Sequence, residues 1–349
     1  MLNINPKLEK YIFDELGAVY QIDPENVSCN LANDREANLN YLGTYFPRSF
    51  VESYNIYTNL FSNGCIKRAF LERETINILD IGSGTGGNLI GLLQVLNDTY
   101  RDKNIGIYSI DGNDIALEYQ RRFIRDLYKF MEYNGNYVKI RTLCHKFTGK
   151  TDIKNTIDKK REKKAFYKFD IIHTFKFVNE LYTADFQLNQ GTYKEVLNIG
   201  ENYLSENGIL IIEDITNRIG AQYMSIIMNN ECREYFNQTA NSRIHIILPL
   251  SCAFWHENCI SRNCFTKKEF SIKHRYNSND ISKVTYKVLT TTELARKVLS
   301  HMDNCDCYYH VISEDNRNNH YNYCLRGSFF YGEGYLDEDG VIKINSFVL

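Results

Sequence analysis

The sequence predicts an α/β fold built around a mostly parallel, doubly wound sheet. Residues 76–81 form a short apolar run with the composition of a strand that is buried on both faces. A glycine-rich turn at 82–87 follows, and apolar residues then recur at helical spacing. Beyond this unit, strand-like and helix-like segments alternate, which is the pattern of parallel strands joined by helices. The length of 349 residues is ample for burying a core.

The glycine-rich turn predicts a site for a nucleotide cofactor. Without side chains the backbone can approach a ligand closely, and the N–H groups at the start of the next helix point towards it. Gly82, Gly84 and Gly87 also satisfy G-x-G-x-x-G, so a dinucleotide is an alternative ligand. Asp80 argues against that alternative, because its carboxylate would repel a pyrophosphate and attract an ammonium group.

This stretch resembles motif I of class I S-adenosylmethionine-dependent methyltransferases, D-x-G-x-G-x-G. A second predicted strand, at 105–110, ends in Asp111, where a ribose-binding carboxylate belongs in such a unit. The resemblance implies a Rossmann-like class I methyltransferase fold with a mostly parallel, seven-stranded sheet and S-adenosylmethionine as cofactor. The cofactor-binding residues that it implies are Asp80, Gly82, Ser83, Gly84, Gly86, Asp111, Gly112, Cys144, His145, Thr174, Tyr41 and Tyr45.

The pattern divides the chain into an N-terminal helical region, 1–70, and a methyltransferase domain, 71–349. In the resembled class an N-terminal helical segment often closes over the cofactor, so Tyr41 and Tyr45 are candidates to cover the sulfonium. The alternative is that these helices simply pack on the domain. A long helix is expected after Asn113, which has the side chain of an N-cap.

The fourth predicted strand, 169–175, presents residues to the methyl group in the resembled fold. His173 and Glu180 are therefore the candidates for a catalytic base, although His173 is equally compatible with a core position. The residues that follow do not form the N-P-P-Y type of loop that holds an exocyclic base amine. The fifth strand, at 209–212, is expected to run into Glu213 and Asp214.

A cysteine-containing insertion at about 245–280 is the second candidate site. Thiolates that converge from irregular backbone can bind zinc or an iron–sulfur cluster. The alternative is three half-buried thiols in a loop. The candidate ligands are Cys252, Cys259 and Cys264, with Cys324 as the fourth and His256 or the pair Cys305 and Cys307 as its alternatives.

The order of these parts resembles a narrower family, the methyltransferase-like proteins associated with assembly of the small ribosomal subunit in bacteria and mitochondria. The resemblance rests on Pro249, the cysteines after it, the predicted returning strand at 284–289 and F-V-N-E-L at 177–181. It implies an iron–sulfur cluster on the cysteines and a ribosomal partner.

One basic stretch, 146–168, stands out in a chain with a net charge of −2. Clustered positive charge is what contact with RNA phosphates requires, and a solvated helix face is the alternative. Its basic residues are Lys146, Lys150, Lys154, Lys159, Lys160, Arg161, Lys163, Lys164 and Lys168.

The sequence thus predicts a methyltransferase that transfers the methyl group of S-adenosylmethionine to an unidentified acceptor, with ribosomal RNA as one candidate. The alternatives are a small-molecule or peptide methyltransferase of a specialised pathway and a non-catalytic ribosome-assembly factor. No apolar run reaches the length of a membrane span, and the first residues lack the features of a presequence. We therefore expect a cytoplasmic protein without a membrane partner.

Overall fold

The chain's helices and strands follow the predicted alternation. The structure is a computed structural model that describes residues 2–21, 34–135, 137–147, 150–161, 168–184, 189–216, 222–239, 241–249, 252–253, 268–300, 309–315, 320–325, 328–336 and 342–344. None of the helices in these segments is long and apolar enough to cross a membrane.

Within the same segments the strands are β1 (Leu2–Asn3), β2 (Thr75–Ile81), β3 (Asn104–Asp111), β4 (Val138–Cys144), β5 (Phe169–Phe175), β6 (Leu204–Ile215), β7 (Ile244–Leu248), β8 (Lys268–His274), β9 (Asn277–Thr291), β10 (Tyr309–Asp315), β11 (His320–Leu325), β12 (Ser328–Leu336) and β13 (Ile342–Ile344). The helices are α1 (Pro6–Lys10), α2 (Arg35–Thr44), α3 (Phe46–Ser62), α4 (Gly64–Leu71), α5 (Gly87–Thr99), α6 (Asp114–Arg125), α7 (Lys150–Arg161), α8 (Val178–Ala184), α9 (Thr192–Tyr203), α10 (Gln222–Gln238) and α11 (Thr292–Ser300).

The main sheet has the order β1-β8-β9-β6-β5-β2-β3-β4, with β7 also beside β9. Strands β4, β3, β2, β5 and β6 are parallel, whereas β9 runs antiparallel to β6. This arrangement confirms the predicted Rossmann-like α/β fold, but the described sheet has nine strands and not seven. The width comes from β9, which is long enough to pair with β7 along one half and with β8 along the other, and β1 then pairs with β8.

Strand β2 is buried on both faces, as its composition predicts. Ile76 and Ile78 belong to one apolar cluster, which includes side chains of α3 and α5. Leu79 and Ile81 belong to a second cluster, with side chains of α9 and α10. Because successive strand residues point to opposite faces, this one strand joins the two halves of the core.

The N-terminal helices form a layer of the domain. Helix α3 lies directly on α5, so a Cβ atom on Gly91 would collide with the backbone oxygen of Phe50. Leu2 and Asn3 pair with Ile272 and Lys273 in the main sheet. The predicted 1–70 region is thus helical over much of its length and also supplies a strand.

Two predicted boundaries differ from the structure. Asn113 caps α6 as expected, since its Oδ1 accepts hydrogen bonds from the N–H groups of Ile115 (3.0 Å) and Ala116 (3.2 Å), but this helix ends at Arg125. Strand β6 begins at Leu204, well before the predicted residue 209. Asn207, inside this strand, has a φ of 58° and lies at an irregularity in the pairing with β5.

The C-terminal strands β10 to β13 form an antiparallel sheet of their own. Within the described segments, β8 and β1 occupy the edge of the main sheet beyond β9.

The ion pair between Arg48 of α3 and Asp280 of β9 generates a stability prediction. Nε and Nη2 of Arg48 donate to the two carboxylate oxygens of Asp280 at 2.8 Å each. Burial opposes ionisation of Asp280, but His274 and Arg48 outweigh it and lower the pKa to about 2. Asp280→Asn should therefore reduce the free energy of unfolding by about 2–4 kcal/mol at pH 7, because it leaves a partly buried cation unpaired.

Urea unfolding measures this change. The pKa of Asp280 is lower in the folded than in the unfolded state. Its contribution to the free energy of unfolding is therefore present above about pH 4 and decreases as the pH falls towards 2. The difference between wild type and variant should shrink over that range. Glu293→Gln, which removes an exposed pair on α11, is the control and should have little effect. Equal stability of the Asp280 variant and wild type at pH 7 would contradict the prediction.

Candidate cofactor and acceptor site

The turn between β2 and α5 has the conformation that its glycines allow. Gly82, Gly84 and Gly86 have φ angles of 68°, 51° and 88°, in the left-handed region that glycine adopts without a Cβ penalty. The N–H groups of Gly82 and Ser83 donate to the carbonyl oxygen of Ile110, at 2.9 and 3.2 Å. The turn is thereby tied to the end of the neighbouring strand β3.

Asp111, the last residue of β3, lies beside this turn. Its Oδ2 accepts a hydrogen bond from the Gly84 N–H at 2.7 Å, and its Oδ1 accepts one from the Asn113 N–H at 2.8 Å. Burial raises the pKa of Asp111 to about 6, although these N–H groups favour the ionised form. The carboxylate thus stands at the position predicted for a ribose contact.

Asp80, at the end of β2, is fully buried. Its Oδ1 accepts a hydrogen bond from Nδ2 of Asn88 at 3.0 Å and lies 3.2 Å from Nε2 of His173. Its Oδ2 has no hydrogen-bond partner among the described residues. A buried carboxylate oxygen without a donor is costly, so this atom marks a place for a donor group.

His173, one predicted catalytic base, is a core residue. It has no exposed surface, its Nδ1 lies 2.9 Å from the Tyr57 hydroxyl, and its Nε2 faces Asp80. Asp80 and His173 are paired in register on adjacent strands, which explains their contact. Both ring nitrogens of His173 are thus occupied by Tyr57 and Asp80 in this conformation, and its role as a base stays a prediction. Thr174, a predicted cofactor residue, is also fully buried.

The Tyr41 ring lies against the glycine turn, and its predicted role in covering the cofactor stays a prediction. A Cβ atom on Gly84 would lie 3.6 Å from Cε1 of Tyr41. The Tyr45 ring packs on Tyr41, with 4.9 Å between the centroids. Burial raises the pKa of Tyr41 well above its usual range, and the charges of Glu180 and Asp111 add to the effect. Glu180, the other predicted base, therefore lies near the same tyrosine.

Cys144 and His145 follow β4 and border the same edge of the sheet. The backbone N–H of His145 donates to the carbonyl oxygen of Asp111 at 2.8 Å. The Nε2 atom of His145 lies 2.9 Å from Oδ2 of Asp152. Cys144 is exposed, with Sγ 3.7 Å from the carbonyl oxygen of Gly112. The structure thus brings both residues to the carboxyl edge where they were predicted.

Gln120 of α6 was missed by the sequence reasoning. Its Nε2 donates to the Ser83 hydroxyl and to the Gly84 carbonyl oxygen at 2.7 Å each, and its Oε1 accepts from the Ser109 hydroxyl at 2.7 Å. This buried side chain clamps the glycine turn to β3. Helical spacing places it on the same face as the buried residues Ala116 and Phe123, and a glutamine on an apolar face was the available signal.

The metal prediction falls largely on residues that lie outside the described ones. Cys259 and Cys264 are among those, and only the backbone of Cys324 is described. Cys252 is half-buried and accepts a hydrogen bond from Nζ of the buried Lys287, with 3.4 Å between N and S. Within the described segments no three His, Cys, Asp or Glu residues form a metal-binding group. The metal centre stays a prediction.

The basic stretch is described in part. Residues 150–161 form helix α7, on which Lys154 pairs with Asp158 at 2.8 Å, and residues 162–167 lie outside the described segments. The predicted contact with RNA is therefore not tested by the structure.

The class of fold follows from the strand order. Seven strands of the sheet have the order β4-β3-β2-β5-β6-β9-β7, in which β9 and not β7 lies next to β6. Asp80 and Asp111 flank the glycine turn at the carboxyl edge of the parallel strands. The chain has the class I methyltransferase fold.

No model of a known protein family and no curated protein sequence matches the chain. Among solved structures, it is similar to an S-adenosylmethionine-dependent methyltransferase from Clostridium acetobutylicum, with 13% identity over 73% of this chain and 84% of that one and a TM-score of 0.29. It is also similar to the DszA carbon methyltransferase (13% identity, 82% and 64% covered, TM-score 0.39). A third is the plantazolicin methyltransferase BpumL in complex with SAH (13% identity, 80% and 99% covered, TM-score 0.32). The fold assignment rests on the strand order and not on these similarities.

The Gln120 clamp generates the prediction for this site. Gln120→Leu should lower the free energy of unfolding by about 2–3 kcal/mol, because the Ser83 and Ser109 hydroxyls and the Gly84 carbonyl oxygen lose a buried partner. Chemical denaturation measures the loss. Gln94→Leu is the matched control, since that glutamine makes only a solvent-facing bond to Asp98 among the contacts described. Equal effects of the two substitutions would show that Gln120 is not a clamp.

Proposed function

We propose that the protein binds S-adenosylmethionine at the carboxyl edge of the sheet and transfers its methyl group to a nucleophilic acceptor. The observation that carries this proposal is the pair of strand-end carboxylates, Asp80 and Asp111, on either side of Gly84. The residues present fit the cofactor: Asp111 can accept hydrogen bonds from ribose hydroxyls, and Asp80 has a buried oxygen without a donor.

Each residue then has a defined task. The cofactor supplies an electrophilic methyl group on a sulfonium. Asp111 fixes the ribose, the glycine turn lets backbone approach the ligand, and the rings of Tyr41 and Tyr45 offer aromatic faces to a cation. Tyr41 also shields the turn from water. Such an arrangement accelerates transfer mainly by alignment of the reacting atoms.

The ribose contact predicts how cofactor binding depends on pH. Asp111 has a pKa of about 6 in the free protein, and hydrogen bonds from ribose hydroxyls would lower it in the complex. The affinity for S-adenosylhomocysteine should therefore be full above pH 7 and decrease as the pH falls through 6. Asp111→Asn should bind roughly 10- to 100-fold more weakly at pH 7.5, the equivalent of one charged hydrogen bond, and should lose this pH dependence.

Calorimetric titrations between pH 5.5 and 8 measure both effects. Asp114→Asn is the control, because that carboxylate is exposed at the start of α6 and pairs with Arg121. It should bind with wild-type affinity and the wild-type pH profile. If Asp111→Asn and wild type share one profile, Asp111 does not hold the ribose.

The acceptor can be identified by transfer of a labelled methyl group. Purified protein and labelled S-adenosylmethionine should label one fraction of a cell extract, and Asp111→Asn should abolish that label. Label in ribosomal RNA would support the predicted ribosomal acceptor, and label in small molecules or peptides would support the alternative. Binding of the cofactor without label in any fraction would favour the non-catalytic ribosome-assembly factor.

The zinc or iron–sulfur centre and the RNA contact through 146–168 remain proposals beside this function. Cys252 is the one predicted ligand whose side chain is described, and the buried ammonium of Lys287 contacts its sulfur. An ammonium at this position favours a centre with negative charge, which four thiolates would give to either metal.

A further inference from the structure

A pair of buried carboxyl groups, Glu52 and Glu213, lies at the carboxyl ends of β5 and β6. Both side chains have no exposed surface. Glu213 is in register with Phe175 on one side and Tyr286 on the other, and α3 brings Glu52 to this face of the sheet. Apart from the carboxyl group of Glu52, no group of the described residues gives a hydrogen bond to the carboxylate oxygens of Glu213. A purely structural glutamate would be expected to have such donors.

The charge of this pair is only half compensated. Nζ of Lys176 lies 2.5 Å from Oε2 of Glu52 and 3.3 Å from the Ser49 hydroxyl, and the Ser282 hydroxyl donates to Oε1 of Glu52. One ammonium thus serves two carboxyl groups. Burial raises the pKa of Glu213 well above its usual range, and Glu52 adds to the effect whereas Lys176 opposes it.

The other titratable groups around Glu213 do not supply the missing charge. Asp214 is already bound by the Tyr193 hydroxyl at 2.8 Å and by the N–H groups of Asn179 and Ile215. The hydroxyls of Tyr57 and Tyr286 remain protonated, because burial raises the pKa of each and the charge of Glu213 adds to this. Because one ammonium faces two carboxyl groups without exposed surface, we infer that the pair shares one proton.

Lys176 has an unusual backbone for a residue with a side chain. Its φ is 55°, and its N–H donates to the carbonyl oxygen of Glu213 at 3.0 Å. Strained residues of this kind persist where the surrounding structure holds them, and they cluster at functional sites. The Lys176 side chain is 14% exposed, so it lies between solvent and the two buried carboxyl groups.

Tyr41 connects this pair with the cofactor side of the site. Among the causes that raise the pKa of Tyr41 after burial are the charges of Glu180, Asp111 and Glu52. Its hydroxyl is thus within electrostatic reach of the ribose carboxylate and of the glutamate pair. Glu213 also lies at the same carboxyl edge of the sheet as Asp80, two strands away.

We propose that Glu213, with Glu52 and Lys176, binds and deprotonates an acceptor whose attacking atom is an amine nitrogen. This inference rests on the proposed methyltransferase function. An ammonium group beside Glu213 would supply a cation and N–H donors in place of the proton shared with Glu52, and that proton leaves to solvent.

The reaction then balances. The acceptor ammonium gives one proton to the Glu213 carboxylate, and the nitrogen lone pair that this exposes forms a bond to the methyl carbon. The carbon–sulfur bond breaks, and its electron pair goes to sulfur. The product leaves as a methylated ammonium, and Glu213 again carries the proton with which it started.

The test uses two cofactor analogues, so it needs no knowledge of the acceptor. S-adenosylhomocysteine lacks the methyl group, and sinefungin carries a primary amine at the corresponding position. Titration calorimetry in two buffers of different ionisation enthalpy at pH 7.5 counts the protons released on binding. Sinefungin should bind at least about 10-fold more tightly than S-adenosylhomocysteine and should release close to one proton more, since its ammonium pairs with Glu213.

Glu213→Gln keeps the shape of the side chain and should fold. It should retain the affinity for S-adenosylhomocysteine, lose the preference for sinefungin and lose the extra proton. Glu180→Gln is the discriminating control, because Glu180 lies near Tyr41 but outside the pair, and it should keep the extra proton release.

The proposal is overturned if wild-type protein releases no extra proton with sinefungin, a measurement that requires no variant. It is also overturned if Glu213→Gln retains the release or if Glu180→Gln alone abolishes it. If the protein binds neither analogue, both the proposed function and this inference fail. If S-adenosylhomocysteine binds in a manner that depends on Asp111 but sinefungin releases no extra proton, only this inference fails.

Discussion

The hydrogen bond between the Gly84 N–H and the Asp111 carboxylate holds the candidate site together. It joins a turn that has no side chains of its own to the end of the neighbouring strand, and Gln120 supports the same turn from the other side. The charge of Asp111 also reaches Tyr41. The glycine turn, the Asp111 carboxylate and the Tyr41 ring thus meet around this contact.

The parts of the fold that short sequence patterns encode could be predicted. The strand of apolar residues at 76–81, the glycine turn and the N-cap Asn113 are local features, because composition and spacing over a few residues determine them. Asp80 and Asp111 could be found for the same reason, since each ends a recognisable strand.

Features that depend on distant pairing could not be predicted. Nothing near Leu2 shows that it will pair with Ile272, and nothing near His173 shows that the adjacent strand places Asp80 against its ring. Glu52 lies on a helix and Glu213 on a strand, so their meeting is visible only in the folded chain. Asp80, the glycine turn and Asp111 could be located because they lie in one continuous segment, whereas the Glu52–Glu213 pair could not.

Strand β9 has a consequence for how the chain folds. It lies between β6 and the earlier strands β7 and β8, so β7 has no other neighbour in the described sheet until β9 arrives. During synthesis, the parallel half of the sheet can form first, but its edge at β6 stays open until residue 291 has been made. Such late closure by a non-local strand slows folding and leaves an unpaired edge exposed for a longer time. The nascent chain therefore exposes the edge of β6 from the completion of that strand until β9 has been made.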